Sequence, residues 1–80
     1  MKVRLSNEAI TKLRHEHEKY REIKLGLGVP LGIKAISSIY VAVKVNEWNG
    51  PLTKEAVLLY LEGKLNMKRS DLLEIVDDTI

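Results

Sequence analysis

Apolar residues recur at a helical spacing over the first third of the chain. When residues 7–25 are drawn as a helix, the positions that share one face are Ala9, Ile10, Leu13, His17 and Tyr20. Ser6 can cap the backbone amides at the start of this segment, and the apolar pair Leu5 and Ile10 brackets that cap as a hydrophobic staple. The glycine-rich run over residues 26–32 ends the pattern. The sequence therefore predicts one long helix over residues 7–25.

A second helix start carries the same signals. Thr53 is the candidate N-cap, and Leu52 and Val57 form the staple around it. These signals predict a helix over residues 54–62, with Gly63 as its terminator.

A final helix is expected over residues 71–78, so that residues 53–78 would form a helical hairpin. The face that this last helix presents is acidic, with Asp71, Glu74, Asp77 and Asp78. Phosphate would repel such a helix, which argues against a DNA-reading helix-turn-helix.

The middle segment, residues 33–48, fits two structures. As a helix it gathers one apolar arc made of Ala35, Ile36, Ile39, Tyr40, Ala42 and Val43. As a strand it alternates, with β-branched residues on one side at Ile39, Val41, Val43 and Val45. A strand here would need residues 2–5 as its partner, and a two-stranded sheet is weak alone. We favour the helix, and the run over residues 46–51 then turns the chain.

These elements predict one domain, residues 1–80, with an all-α fold. We expect a compact bundle of three or four short helices, with or without a short N-terminal strand. The alternative is an α+β fold with a small two-stranded sheet.

A chain of 80 residues buries only about 60% of its unfolded surface, so its core is marginal. With no cysteine, disulfides are excluded and association remains as a source of stability. We therefore expect a homodimer.

The charge of the chain is mildly positive and unevenly distributed. The net charge is +2 and the isoelectric point is about 9.0. Residues 1–30 carry +3 and residues 51–80 carry −2. The first helix also repeats itself, because Lys12, Leu13 and Arg14 match Lys19, Tyr20 and Arg21 at a seven-residue offset.

Two functions follow as hypotheses. The first is a small protein-interaction module, an adaptor or inhibitor, that binds a partner or itself through Ile10, Leu13, His17, Tyr20 and Trp48. The alternative is a nucleic-acid-binding regulator that uses Lys12, Arg14, Lys19, Arg21, Lys64, Lys68 and Arg69. Glutamates between the cations of the first helix, in pairs such as Glu8 with Lys12 and Arg14 with Glu18, dilute a basic stripe.

Other functions lack the residues that they require. On a helix, His15 and His17 would diverge by about 200°, so no metal site is expected. The glycine run follows a helix rather than a strand, which does not suit a phosphate-binding loop. No set of nucleophile, base and acid can be assembled, so we expect no enzyme activity, cofactor or small-molecule substrate.

The polar start and the short apolar stretch over residues 31–45 predict a soluble, cytoplasmic protein with no membrane association.

Overall fold

Short helices and a two-stranded antiparallel sheet form the fold in the computed structural model, which describes residues 1–77. In chain order the elements are β1 (Lys2–Leu5), α1 (Asn7–Arg14), α2 (Glu18–Gly26), α3 (Gly28–Leu31), α4 (Ile36–Val45), a 3₁₀ turn (Pro51–Thr53), α5 (Glu55–Leu65), α6 (Arg69–Leu72) and β2 (Leu73–Val76). The mainly helical fold with a short N-terminal strand is confirmed. The small sheet also fits the α+β alternative.

The helices and the sheet surround one hydrophobic core. The buried side chains are Leu5, Ala9, Ile10, Leu13, Ile23, Leu27, Leu31, Ile39, Val43, Leu52, Val57, Leu58, Leu61, Leu65, Met67 and Leu72. Among residues 1–77 no polar or charged residue is buried. Burial of apolar area is therefore the main force that holds the helices together.

The predicted long first helix is wrong, because the chain breaks between α1 and α2. Ser6 caps α1 as expected, since its Oγ accepts a hydrogen bond from the amide of Ala9 at 3.2 Å. The helix then ends at Arg14, and His15 and His17 both have extended backbone angles. Because of the break, the apolar side of α1 and the buried Ile23 of α2 both pack into the same core. In a straight helix over residues 7–25, one of the two would extend beyond that core.

The middle segment is helical, as favoured, and this excludes the strand alternative. Ile39 and Val43 are one turn apart on α4, and both are buried. Asn46 ends the helix in the left-handed region with φ 47°, a conformation that asparagine tolerates better than most residues.

The C-terminal half differs from the prediction at both helices. α5 begins after Lys54 rather than Thr53, whose hydroxyl donates to the carbonyl of Gly50 at 2.7 Å. Gly63 lies inside α5, which continues to Leu65 and is ended by Asn66 at φ 53°. The staple positions around the start are both buried, with 2% of Leu52 and 0% of Val57 exposed.

The predicted final helix over residues 71–78 is also wrong. The helical turn α6 ends at Leu72, and Leu73–Val76 forms the strand β2; residue 78 lies outside the described residues. β2 pairs antiparallel with β1, with Lys2 opposite Val76 and Leu5 opposite Leu73. As a strand, these residues form backbone hydrogen bonds with β1. A helix over the same residues would instead place acidic side chains near its C-terminus, where the helix dipole is negative.

Two asparagines hold the outer edge of β1. The side chain of Asn46 accepts from the amide of Leu5 at 3.2 Å and donates to the carbonyl of Leu5 at 3.0 Å. Asn49 holds Val3 in a similar way: its side-chain Oδ1 accepts from the amide of Val3 at 3.0 Å, and its backbone N–H donates to the carbonyl of Val3 at 2.6 Å. β1 is therefore hydrogen-bonded on both edges, although the sheet has two strands.

Candidate interaction surfaces

The five residues predicted to bind a partner do not form one surface. Ile10 is 4% exposed and Leu13 is 0% exposed, so both lie in the core and cannot contact a partner in the folded protein. His17 is exposed at the helix break, and Tyr20 is half-buried against the core. Trp48 lies in the turn after α4, with the guanidinium carbon of Arg4 4.0 Å from its ring centroid. The single helical face on which the prediction depended does not exist.

The cations predicted to bind nucleic acid are dispersed, and several are already bound within the chain. Arg69 donates to both carboxylate oxygens of Glu55 at 2.9 and 3.0 Å and to Glu62 at 2.8 Å. The hydrogen bonds to Arg69 hold the pKa of Glu55 below its usual value, and those to Glu55 and Glu62 raise the pKa of Arg69. Lys12 lies 4.0 Å from Glu8, the pair expected from their spacing.

The remaining predicted cations lie apart from this ion-paired group. Arg14 donates to the carbonyl of Lys44 at 2.9 Å, which ties the end of α1 to the end of α4, in place of the pair expected with Glu18. Lys19 and Lys64 line one cavity of 230 Å³ beside Tyr60. Lys68 is exposed at the start of α6, and Arg21 is exposed on α2. These positions do not form one continuous basic stripe.

An apolar groove runs along the outer side of α4. The cavity has a volume of 220 Å³, and its lining, which we call the α4 groove, consists of Ile33, Ser38, Val41, Ala42, Val45, Glu47 and Pro51. Val41 and Val45 are one helical turn apart and are 57% and 53% exposed. The groove itself could not be predicted from the sequence, because Ile33 and Pro51 come from segments on either side of the helix.

A second apolar depression adjoins the α4 groove. This depression, the α3 cavity, has a volume of 400 Å³ and is lined by Leu25, Gly28, Val29, Gly32, Ile33, Lys34, Ile36 and Ile39. The two depressions share Ile33, and the α3 cavity adds Val29, 90% exposed, and Ile36, 55% exposed. The two depressions therefore meet at Ile33 and lie on different sides of α4, because Ile36 is about 140° around the helix from Val41.

The break between α1 and α2 brings two histidines together. The rings of His15 and His17 stack with their centroids 4.5 Å apart and an interplanar angle of 12°, in a segment where the backbone of both residues is extended rather than helical. The expected divergence on a helix is therefore wrong. Even so, no group of three or more histidine, aspartate or glutamate side chains within residues 1–77 is arranged to hold a metal ion.

Comparisons with known protein families, curated proteins and solved structures found no match to this chain. Within residues 1–77 no single helix is long and apolar enough to cross a membrane, whereas Glu18–Leu31 and Ile36–Val45 together meet that test of length and composition, with a 99° bend between them. A functional assignment therefore depends on the surfaces described above.

Proposed function

We propose that this protein is a non-enzymatic protein-interaction module that acts through the α4 groove, and that a second copy of the chain is the partner. The observation that carries this proposal is the exposure of Val41 and Val45, which line the groove. Full burial of a valine or isoleucine side chain is worth about 1.5–3 kcal/mol. Because each of these valines is about half exposed, each retains roughly 1 kcal/mol to gain from a partner.

The shape of α4 supports a second copy as the occupant. The β-branched residues Val41 and Val45 form a ridge, and the smaller Ser38 and Ala42 lie beside it. Ridges of residues four apart pack into the matching grooves of another helix. A surface that carries both a ridge and a groove can pair with itself about a two-fold axis, as in most homodimers.

The charges at the two ends of α4 also favour an antiparallel pair. Lys34 lies before the start of α4 in the α3 cavity, and Glu47 lies after its end in the α4 groove. In an antiparallel pair that crosses near Val41, the Lys34 end of one copy meets the Glu47 end of the other. Opposite charges at that position help to set the orientation of the two chains.

The size of the surface indicates a moderate rather than a tight dimer. A typical stable interface buries about 800 Å² on each partner, and the α4 groove alone is a small cavity of 220 Å³. The interface would therefore have to extend beyond the lining of the α4 groove. Since association itself costs about 4–15 kcal/mol, we expect a dissociation constant on the order of micromolar or weaker.

Sedimentation equilibrium over a range of protein concentrations tests the proposal. We expect the wild-type chain to associate into dimers, and Val41→Asp to remain monomeric because it places a charge in the interface. Leu59→Asp is the matched control: Leu59 is 60% exposed on α5, outside both cavities. A wild type that remains monomeric at millimolar concentration would contradict the proposal, as would equal loss of dimer in both variants.

The alternative, a nucleic-acid-binding regulator, has weaker support. Arg69 is already bound to two glutamates, and Arg14 is bound to a backbone carbonyl. A titration with generic duplex at low salt separates the two proposals, because phosphate contacts are strongly salt-dependent. Salt-sensitive duplex binding that is lost in a Lys19→Glu/Lys64→Glu variant would favour the alternative.

A further inference from the structure

A cavity of 280 Å³ lies between the break, α2 and α4, apart from the α4 groove. His15, Glu16, Arg21, Lys24 and Tyr40 line it, so we call it the break cavity. Its lining is mainly polar and charged, in contrast to the apolar lining of the α4 groove. A different kind of ligand is therefore indicated.

The positive charges of the break cavity are concentrated and face the same space. Arg21 and Lys24 are three residues apart on α2, so they lie on one side of the helix. Lys24 is half-buried, and its Nζ lies 4.5 Å from the ring centroid of Tyr40 on α4. Within residues 1–77, no ion pair joins Glu16, the carboxylate of the cavity, to either cation.

These groups match the chemistry of a phosphate ester. A guanidinium binds phosphate oxygens in a two-pronged arrangement, and an ammonium adds a second positive charge. The imidazole of His15 can donate a further hydrogen bond. We infer that the break cavity binds the phosphoryl group of a phosphate ester, carried either by a side chain of a partner protein or by a nucleotide.

Glu16 provides a second test, in which a substitution should tighten phosphate binding rather than weaken it. Two cations against one carboxylate leave a net positive cavity, so removal of the carboxylate charge would strengthen binding of a dianion. Glu16→Gln is therefore expected to bind more tightly than the wild type, and Arg21→Ala about tenfold or more weakly. Both side chains are exposed, so neither substitution removes core packing.

The experiment is an NMR titration of the 80-residue chain, followed through the backbone amides. The probes are inorganic phosphate, phosphoserine and AMP, with sulfate as the anion control at the same ionic strength. We expect saturable shifts at residues 15–24 with the phosphate compounds, weaker binding in Arg21→Ala, tighter binding in Glu16→Gln, and no change in Lys54→Ala, an exposed lysine outside the break cavity.

The probes also separate the two sources of the phosphoryl group. Tighter binding of phosphoserine than of AMP supports a phosphorylated partner protein, and the reverse order supports a nucleotide. Equal binding of all three phosphates supports a site for the phosphoryl group itself. Absence of saturable shifts, equal binding of sulfate, or unchanged binding in Arg21→Ala would overturn the inference.

Discussion

The two hydrogen bonds between Asn46 and Leu5 give the most specific prediction about the stability of the fold. Asn46 holds both the amide and the carbonyl of Leu5, at 3.2 and 3.0 Å, across 41 positions of sequence. Asn46→Gly removes both bonds, while glycine readily adopts the φ of 47°. The substitution therefore isolates the hydrogen bonds from backbone strain.

The expected magnitude follows from the number of bonds. Each intramolecular hydrogen bond contributes about 1 kcal/mol net, so Asn46→Gly is expected to cost about 2 kcal/mol. An 80-residue domain has a total stability of about 4–12 kcal/mol. A loss of 2 kcal/mol corresponds to a fall in Tm of about 10–15 °C in a chain of this size.

Asn66→Gly is the matched control. Asn66 has the same left-handed backbone, with φ 53°, and is exposed at the end of α5. Urea unfolding followed by circular dichroism should show a lower midpoint for Asn46→Gly and a nearly unchanged midpoint for Asn66→Gly. Equal midpoints for the two variants would refute the claim that Asn46 secures the edge of β1.

Three further predictions concern the core, a helix contact and an ion pair. Leu13→Ala is expected to destabilise the protein by about 2–5 kcal/mol in urea unfolding, because Leu13 is 0% exposed. Gly26→Ala should lower Tm, because an added Cβ would collide with the hydroxyl of Tyr60. In a Tyr60→Phe background, which lacks that hydroxyl, the loss of Tm should be smaller. An equal loss in both backgrounds would argue against the contact. The lowered pKa of Glu55 contributes stability above the unfolded pKa, near 4.5, and that contribution is lost as pH falls through the folded pKa. Arg69→Met should therefore show a smaller loss of stability than the wild type in acid unfolding, and equal losses would contradict the role of this pair.

Local signals in the sequence predicted some elements well. The cap at Ser6 depends on a hydrogen bond to Ala9, three residues away, and the apolar arc that buries Ile39 and Val43 repeats within one helix. Such features are set by neighbouring residues and backbone geometry. They can therefore be inferred from a single chain.

The features that could not be predicted from the sequence depend on distant parts of the chain. Residues 7–25 contain no glycine or proline to mark the break, which arises because α1 and α2 share one core. β2 forms through pairing with β1, about 70 residues away, as in the Arg4–Glu74 ion pair at 2.9 Å. The stacking of His15 on His17 follows from the break, and the α4 groove depends on Ile33 and Pro51, which come from segments on either side of α4. Neither feature could be predicted from periodicity.

The burial of the first-helix face determines which residues can test self-association. A substitution at Leu13, on the predicted first-helix face, would now perturb the core rather than a dimer interface, since that side chain is buried. Val41 lies on the surface of α4 and can be changed without removing a core residue. The interface is therefore best tested at that position.

The most direct test of the proposed function is a disulfide between two copies of α4. The chain contains no cysteine, so Val41→Cys introduces a single thiol at the expected crossing point of the two helices. Two such thiols can join where the helices pack closely, because a disulfide needs Cα atoms about 4.4–6.8 Å apart. Under mild oxidation at about millimolar protein concentration, where a dimer of this affinity is populated, we expect Val41→Cys to form covalent dimers at least about tenfold faster than the exposed control Leu59→Cys, as a site enriched by association should. Equal rates of dimer formation at the two positions would contradict the account of the α4 groove as the interface.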